Sequence, residues 1–209
     1  DTITTGNVGT DSSNTILGDN GVITFNTTGA PWTVTSSVAG LGGNDAILVG
    51  DGTNVIIAGT NDAGGTDTVT SGDGTNVILG DNGSIIYSDS GILKTVATTD
   101  LGVGGTDLIT AGDGSNVIVG GAGTDTIDAG AGLMSPTSSN NIVVGDSGTI
   151  TYDALGNVVT VTTTDTLATT GGDDSITLGD GSNIVLGGMG SDTITTGNVG
   201  TDSSNTILG

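Results

Sequence analysis

The sequence predicts an all-β protein: a solenoid of stacked parallel strands with β-hairpins inserted at regular intervals. Three observations lead there. Triplets of Asp or Asn, any residue, then an aliphatic recur after glycine-rich or turn-like stretches, many at nine-residue steps and some after longer gaps. Glycine supplies 41 of 209 residues and proline only 2, so glycine must make the turns. Three 21-residue stretches that break the rhythm align with one another without gaps.

Asp45, Asn54, Asp67 and Asn76 open four of the triplets. Asp107, Asn116 and Asp125 open three more at nine-residue steps, as do Asp174, Asn183 and Asp192, while Asp1, Asn14, Asn140 and Asn205 complete fourteen. The third residue is Ile or Val every time, with Ile142 following Asn140. A nine-residue step is too short for a pair of helices. It fits a turn of about six residues and a short strand, which β-branched residues favour. One aliphatic per step cannot bury itself alone, so strands must stack about 4.8 Å apart around a ladder of Ile and Val. Two steps make one coil, and Asp-type and Asn-type triplets alternate. Asp-type turns therefore line one edge and GDG-x-N turns the other.

GGAGTDTID (120–128) and GGMGSDTIT (187–195) fit the pattern G-G-x-G-x-D-x-U-x in full. GGNDAIL (42–48), GGTDTVT (64–70), GGTDLIT (104–110) and GGDDSIT (171–177) keep its Asp and aliphatic with fewer glycines. In these residues the chain resembles the RTX (hemolysin-type) calcium-binding nonapeptide repeat proteins, over a little more than half its length. The resemblance implies a parallel β-roll with Ca²⁺ between stacked turns, bound by turn carbonyls and the sixth-position Asp. Asp125 and Asp192 match that position strictly; Asp45, Asp67, Asp107 and Asp174 match it in the looser variants. It also implies a bacterial protein at the cell surface or outside the cell, exported by type I secretion. GDGTNVI (50–56 and 72–78), GDGSNVI (112–118) and GDGSNIV (179–185) depart from the pattern, with Asp in the turn and Asn at the ligand position. Asp51, Asp73, Asp113 and Asp180 are metal-ligand candidates by chemistry alone.

The charge balance points the same way. All 23 acidic residues are Asp, Lys94 is the only cation, and the net charge is −22. Such a chain is a poor partner for nucleic acid or anionic membranes. Two carboxylates about 4 Å apart repel by roughly 4 kcal/mol at an effective dielectric near 20, so an external cation is expected. Short Asp side chains close to turns suit an oxygen-lined Ca²⁺ site. His, Glu, Arg and Cys are absent, which removes the usual parts of acid–base and nucleophilic catalysis, and no enzyme is expected. No apolar run approaches a membrane span, so no membrane insertion is expected.

The interrupting stretches are GDNGVITFNTTGAPWTVTSSV (18–38), GDNGSIIYSDSGILKTVATTD (80–100) and GDSGTITYDALGNVVTVTTTD (145–165). Each alternates around a central glycine, Gly29, Gly91 or Gly156, as a β-hairpin does. Hairpins two coils apart are about 9.6 Å apart, two strand spacings, and can zip into one sheet. Residues 1–18 and 192–209 are identical, DTITTGNVGTDSSNTILG, which makes 191 residues one unit of a tandem array. The unit divides into modules 1–66 (hairpin about 18–40), 67–124 (hairpin about 80–103) and 125–191 (hairpin about 145–170), with 192–209 starting the next identical unit. The function expected is a structural repeat of a long, secreted, calcium-stabilised fibre, adhesin stalk or surface layer. Its partner is itself, in tandem or end-to-end units, and beyond that the cell surface or extracellular matrix. The alternatives are a ligand- or ice-binding solenoid of an adhesin, with TVTTTDT (160–166) as its best stretch, and the secretion-linked calcium domain of a toxin or hydrolase.

Overall fold

The computed structural model describes residues 1–6, 12–37, 41–61, 65–130, 140–167, 169–197 and 204–209. Coil one carries β1 (Thr2–Thr4) and β2 (Ser12–Leu17), after which a hairpin leaves as β3 (Gly21–Phe25) and β4 (Pro31–Ser36). Coil two is β5 (Ala46–Leu48) and β6 (Gly52–Ile57); coil three is β7 (Thr66–Ser71) and β8 (Gly74–Leu79). The second hairpin, β9 (Gly83–Tyr87) and β10 (Leu93–Thr98), precedes coil four, β11 (Thr106–Ala111) and β12 (Gly114–Gly121). Coil five, β13 (Thr126–Ala129) and β14 (Ile142–Asp146), leads into the third hairpin, β15 (Gly148–Tyr152) and β16 (Val158–Thr163). Coil six is β17 (Ser175–Leu178) and β18 (Ile184–Leu186), and coil seven is β19 (Thr193–Thr196) and β20 (Thr206–Leu208). The expected ends of two hairpins, 38–40 and 168, lie outside the described residues.

The first strands of the coils form one seven-stranded parallel sheet, β1-β5-β7-β11-β13-β17-β19, and the second strands form another, β2-β6-β8-β12-β14-β18-β20. Together they are the roll that the nine-residue period predicts. The hairpins join in a third, antiparallel sheet of six strands, β3-β4-β9-β10-β15-β16. Val34 of β4 stands opposite Ile85 of β9, and Val96 of β10 opposite Ile150 of β15. The hairpins therefore zip together along the roll.

Three layers make two cores. Between the sheets of the roll lies the Ile/Val ladder, with Ile47, Ile78, Ile109, Ile118, Ile127 and Ile176 at 0–2% exposure. Between the second sheet and the hairpin sheet lies another cluster, in which Val77, Leu79 and Val119 meet Val34, Ile85, Val96 and Ile150. The sequences explain the difference. TDTVTS (66–71) alternates because its sheet has one solvent face. GTNVIL (74–79) ends in a continuous apolar run because its sheet is covered on both.

Glycine is required where coils touch. Gly114 has φ +131°, and a Cβ there would lie 2.0 Å from the carbonyl oxygen of Gly74 one coil away. The hairpin tips turn on Gly29, Gly91 and Gly156, with φ of 84°, 79° and 86°. One register differs from the sequence reading. Asn141, not Asn140, occupies the inward Asn position, so Val143, not Ile142, enters the ladder opposite Ile118 and Val185. In an Asn-Asn doublet both readings leave an aliphatic two residues on; hydrogen bonds from Asn116 and to Asn183 select the second Asn.

Replacing Ile118 by Ala, in the middle of the ladder, should cost about 2–5 kcal/mol. Replacing the exposed Thr126 by Ala should change stability by less than about 0.5 kcal/mol. Urea titrations of both variants in calcium check this; equal tolerance would mean that the strand faces are reversed.

Candidate metal centre

At the edge where the second sheet returns to the first, six aspartates form a column. The backbone N–H of Asp45 donates to Oδ1 of Asp67 (2.7 Å), Asp67 to Asp107 (3.3 Å) and Asp107 to Asp125 (2.9 Å). Asp125 continues to Asp174 (2.8 Å) and Asp174 to Asp192 (3.0 Å). The amino group of Asp1 meets Oδ1 of Asp45 in the same way. All but Asp192 are buried. The six Asp of the nonapeptide and its looser variants are thus brought together.

Each of these carboxylates has one satisfied oxygen. Oδ2 of Asp45, Asp67, Asp107, Asp125 and Asp174 is buried without a partner. These oxygens share their surroundings with main-chain carbonyls. A Cβ on Gly120 would be 2.4 Å from Oδ2 of Asp125 and 2.2 Å from the Gly145 carbonyl oxygen. On Gly80 it would be 2.2 Å from Oδ2 of Asp107 and 2.3 Å from the carbonyl oxygen of Gly120. At Gly18, Gly80, Gly120 and Gly145 a carboxylate oxygen and a carbonyl oxygen of the next coil converge on a spot that a Cβ would fill.

Three further carboxylates at this edge escaped the sequence reading. Asp19, Asp81 and Asp146 open the hairpins. Asp81 is buried, and its Oδ2 accepts the Ala122 N–H (2.6 Å) of the next coil while Oδ1 has no partner. Asp146 accepts from Gly172 N–H (3.0 Å) and from Met189 N–H. Oδ2 of Asp19 is orphaned between Gly42 and Gly59. The signal was available: G-D at 18–19, 80–81 and 145–146 stands where the nonapeptide has G-G at 120–121 and 187–188.

The opposite edge is built differently. An unbroken amide ladder runs from Asn14 through Asn54, Asn76, Asn116, Asn141 and Asn183 to Asn205, each Nδ2 donating to the next Oδ1 at 2.8–3.0 Å. Asn54, Asn76, Asn116 and Asn183 also donate to the carbonyls of Gly50, Gly72, Gly112 and Gly179. Asp51, Asp73, Asp113 and Asp180 sit at the rim of this edge, exposed or half-buried, away from the Asp column. There Oδ1 of Asp51 accepts the Asp73 N–H (2.9 Å) and Oδ1 of Asp73 the Asp113 N–H (2.8 Å). An Asn column satisfies itself because an amide both donates and accepts; a carboxylate column cannot.

Burial sets the electrostatics. It raises Asp67 from the ordinary 3.8 to about 7, Asp174 to about 7 and Asp146 to about 6. Burial and the neighbouring charge of Asp67 raise Asp107 to about 8. Asp81 and Asp125 lie well above the usual range, through burial and then the charge of Asp107. Lys94 offers no relief, since its Nζ donates to the Asp153 carbonyl (2.5 Å) in the hairpin sheet. The donor set is all oxygen, carboxylate and carbonyl, as a hard divalent cation such as Ca²⁺ prefers. Among the described residues no three acidic side chains gather into a cluster, so one or two carboxylates would act with turn carbonyls.

A two-sheet parallel roll with glycine turns and an orphaned carboxylate column defines a calcium-binding β-roll. Residues 101–132 and 160–194 match the RTX calcium-binding nonapeptide repeat, in four copies. These repeats bind Ca²⁺; they are structural rather than catalytic, and typical of secreted bacterial proteins. No curated protein and no solved structure matches the chain.

The raised carboxylates give a pH dependence. Folded, the metal-free chain holds protons on Asp67, Asp107 and Asp174 that the unfolded chain releases near 3.8. Stability without metal should therefore fall as pH rises from about 4 to about 8. Calcium should restore it, and by more at pH 8 than at pH 5. Melting by circular dichroism in EDTA and in millimolar Ca²⁺ across this range is the check. A metal-free melting temperature that is flat or rising between pH 5 and 8 would contradict it.

Proposed function

We propose that this chain is the structural repeat unit of a long, secreted, calcium-stabilised β-solenoid that forms a fibre, an adhesin stalk or a surface layer, exported by type I secretion. The observation that supports this most is coil seven. Residues 192–209 repeat residues 1–18, and β19 and β20 stack on coil six in ladder register, Ile176 beside Ile194 and Val185 beside Ile207. Both edge columns continue across that boundary, from Asp174 to Asp192 (3.0 Å) and from Asn183 to Asn205 (3.0 Å). A sequence copy of coil one is thus accepted by coil six as its next layer. The column carboxylates, with Asp19, Asp81 and Asp146, are the groups proposed to hold Ca²⁺ between turns; Asp51, Asp73, Asp113 and Asp180 are weaker candidates. Repeated sites with modest individual affinity together stabilise the folded state at millimolar calcium.

Six coils per unit at 4.8 Å give an axial advance of about 29 Å. Electron microscopy and diffraction on the native material in calcium should show a strong 4.8 Å axial repeat and a spacing near 29 Å. Globular beads joined by linkers, without that repeat, would overturn the reading.

A second reading, an ice-binding surface, draws on the uncovered face of the first sheet. Thr2, Thr68, Thr126 and Thr193 share one column there, and Thr4, Thr70, Thr110, Thr177 and Thr195 the neighbouring one. Ala46, Leu48, Leu108, Asp128 and Ser175 interrupt these columns, which keeps this reading second. An ice-recrystallisation assay in calcium decides it: inhibition lost on Thr68→Tyr with Thr70→Tyr supports the surface, and no inhibition by the unmodified chain retires it.

A further inference from the structure

We infer that the free edge strand β16 is a docking edge for β3 of the following 191-residue unit, so that the hairpin sheet, like the roll, runs unbroken from unit to unit. The inference rests on the tandem reading above and adds an interface to it. Hairpins leave after coils one, three and five. Coil seven has the sequence of coil one, whose last glycine, Gly18, is followed by the hairpin-opening Asp19. The next hairpin would then leave two coils after β15–β16. That interval is the one that already sets β9 beside β4 and β15 beside β10.

The two existing junctions fix the register. Val34 pairs with Ile85 and Val96 with Ile150, flanked by Thr33 with Ile86 and Thr95 with Thr151. Within their own hairpins, Ile23 pairs with Val34 and Ile150 with Val161, so Ile23 and Val161 end this same row. The new junction therefore sets Val161 opposite Ile23 of the next unit, Thr160 opposite its Thr24, and Thr162 opposite its Val22.

Burial marks both edges as incomplete. Val34, Ile85, Val96 and Ile150 are each 0% exposed, whereas Ile23 and Val161 are only half-buried. Val22 and Val159 are 58% and 61% exposed. Neither strand guards itself as free edges usually do. VVTVTT (158–163) and GVITF (21–25) hold no charge and no proline. The bulge at Val159 is no barrier, since β10 carries the equivalent irregularity at Lys94 and still pairs with β15.

The geometry also excludes a simpler partner. Two separate 209-residue chains stacked end to end would place coil seven against coil one. Three coils, about 14.4 Å, would then separate the hairpins, and the sheet would be broken. The pairing belongs to the 191-residue period.

The test is a chain of two units, residues 1–191 followed by 1–209, in calcium. The sequence has no cysteine, so introduced ones pair only with each other. Thr160→Cys in the first unit with Thr24→Cys in the second probes the hairpin junction, since opposed strand positions suit a disulfide. Ser175→Cys with Thr2→Cys of the second unit, the place that Thr193 holds here, probes the roll junction. Both bonds should form under mild oxidation, by peptide mass mapping. Pairing Thr160→Cys with Val22→Cys, out of register, should give at least tenfold less product. A roll bond without a hairpin bond, or an out-of-register bond formed equally well, overturns this inference and leaves the tandem reading standing. Failure of both bonds overturns the tandem reading as well.

Discussion

Each coil is tied to the next by a backbone N–H that donates into the carboxylate of the aspartate one coil on. That bond turns Oδ1 along the roll axis and leaves Oδ2 to face the turn. At Gly80, Gly120 and Gly145 the turn must then be glycine, because any Cβ there would collide with that oxygen. It must also be oxygen-rich, because the same spot receives a carbonyl from the following coil. Register, glycine content and the demand for a cation thus have one cause. The other edge uses the same stacking with an amide in place of the carboxylate, and the demand disappears. The two edges of the roll differ at heart by exchanging an oxygen for an NH₂.

The hairpins act on both consequences. Their sheet covers the second sheet of the roll and turns it into a buried layer, adding a second core to a chain with four aromatics. Their opening residues, Asp19, Asp81 and Asp146, place three more carboxylates at the anionic edge. Asp81 and Asp146 accept main-chain N–H groups from the next coil, so each pins a hairpin-bearing turn to the plain turn stacked on it. Insertion and edge chemistry are therefore coupled. The turn that departs furthest from the nonapeptide in length supplies an extra anchoring carboxylate.

The roll and hairpin sheet were legible because both rest on period. Nine-residue steps name the inward residue, and the aligned Gly29, Gly91 and Gly156 name the tips. What stayed hidden depends on partners distant in sequence. GDNG reads as turn chemistry, since Asp and Asn favour turns wherever they occur. That Asp81 is buried becomes apparent only once Ala122 is stacked on it. Asn140 and Asn141 cannot be told apart from their own neighbours; the choice is made by Asn116 and Asn183, on other coils. The cover over the second sheet had a readable sign in NVIL and NVIV, runs too apolar for a strand with one wet face.

The spacing of the aspartate column shows what this architecture constrains. Its successive members are 22, 40, 18, 49 and 18 residues apart in sequence, yet each lies one coil from the next. The hairpins carry surplus chain sideways, and the axial step from one member of the column to the next stays a single coil. Sequence length is therefore a poor ruler for this molecule, and coil count is the right one. Hairpins can join only where their interval is a fixed number of coils, however many residues separate them. A chain built this way can vary its surface loop by loop while the axial lattice stays constant. The requirement it cannot relax is the one at the column, where every added coil brings another buried carboxylate whose charge the chain's single lysine, in a different sheet, does not offset.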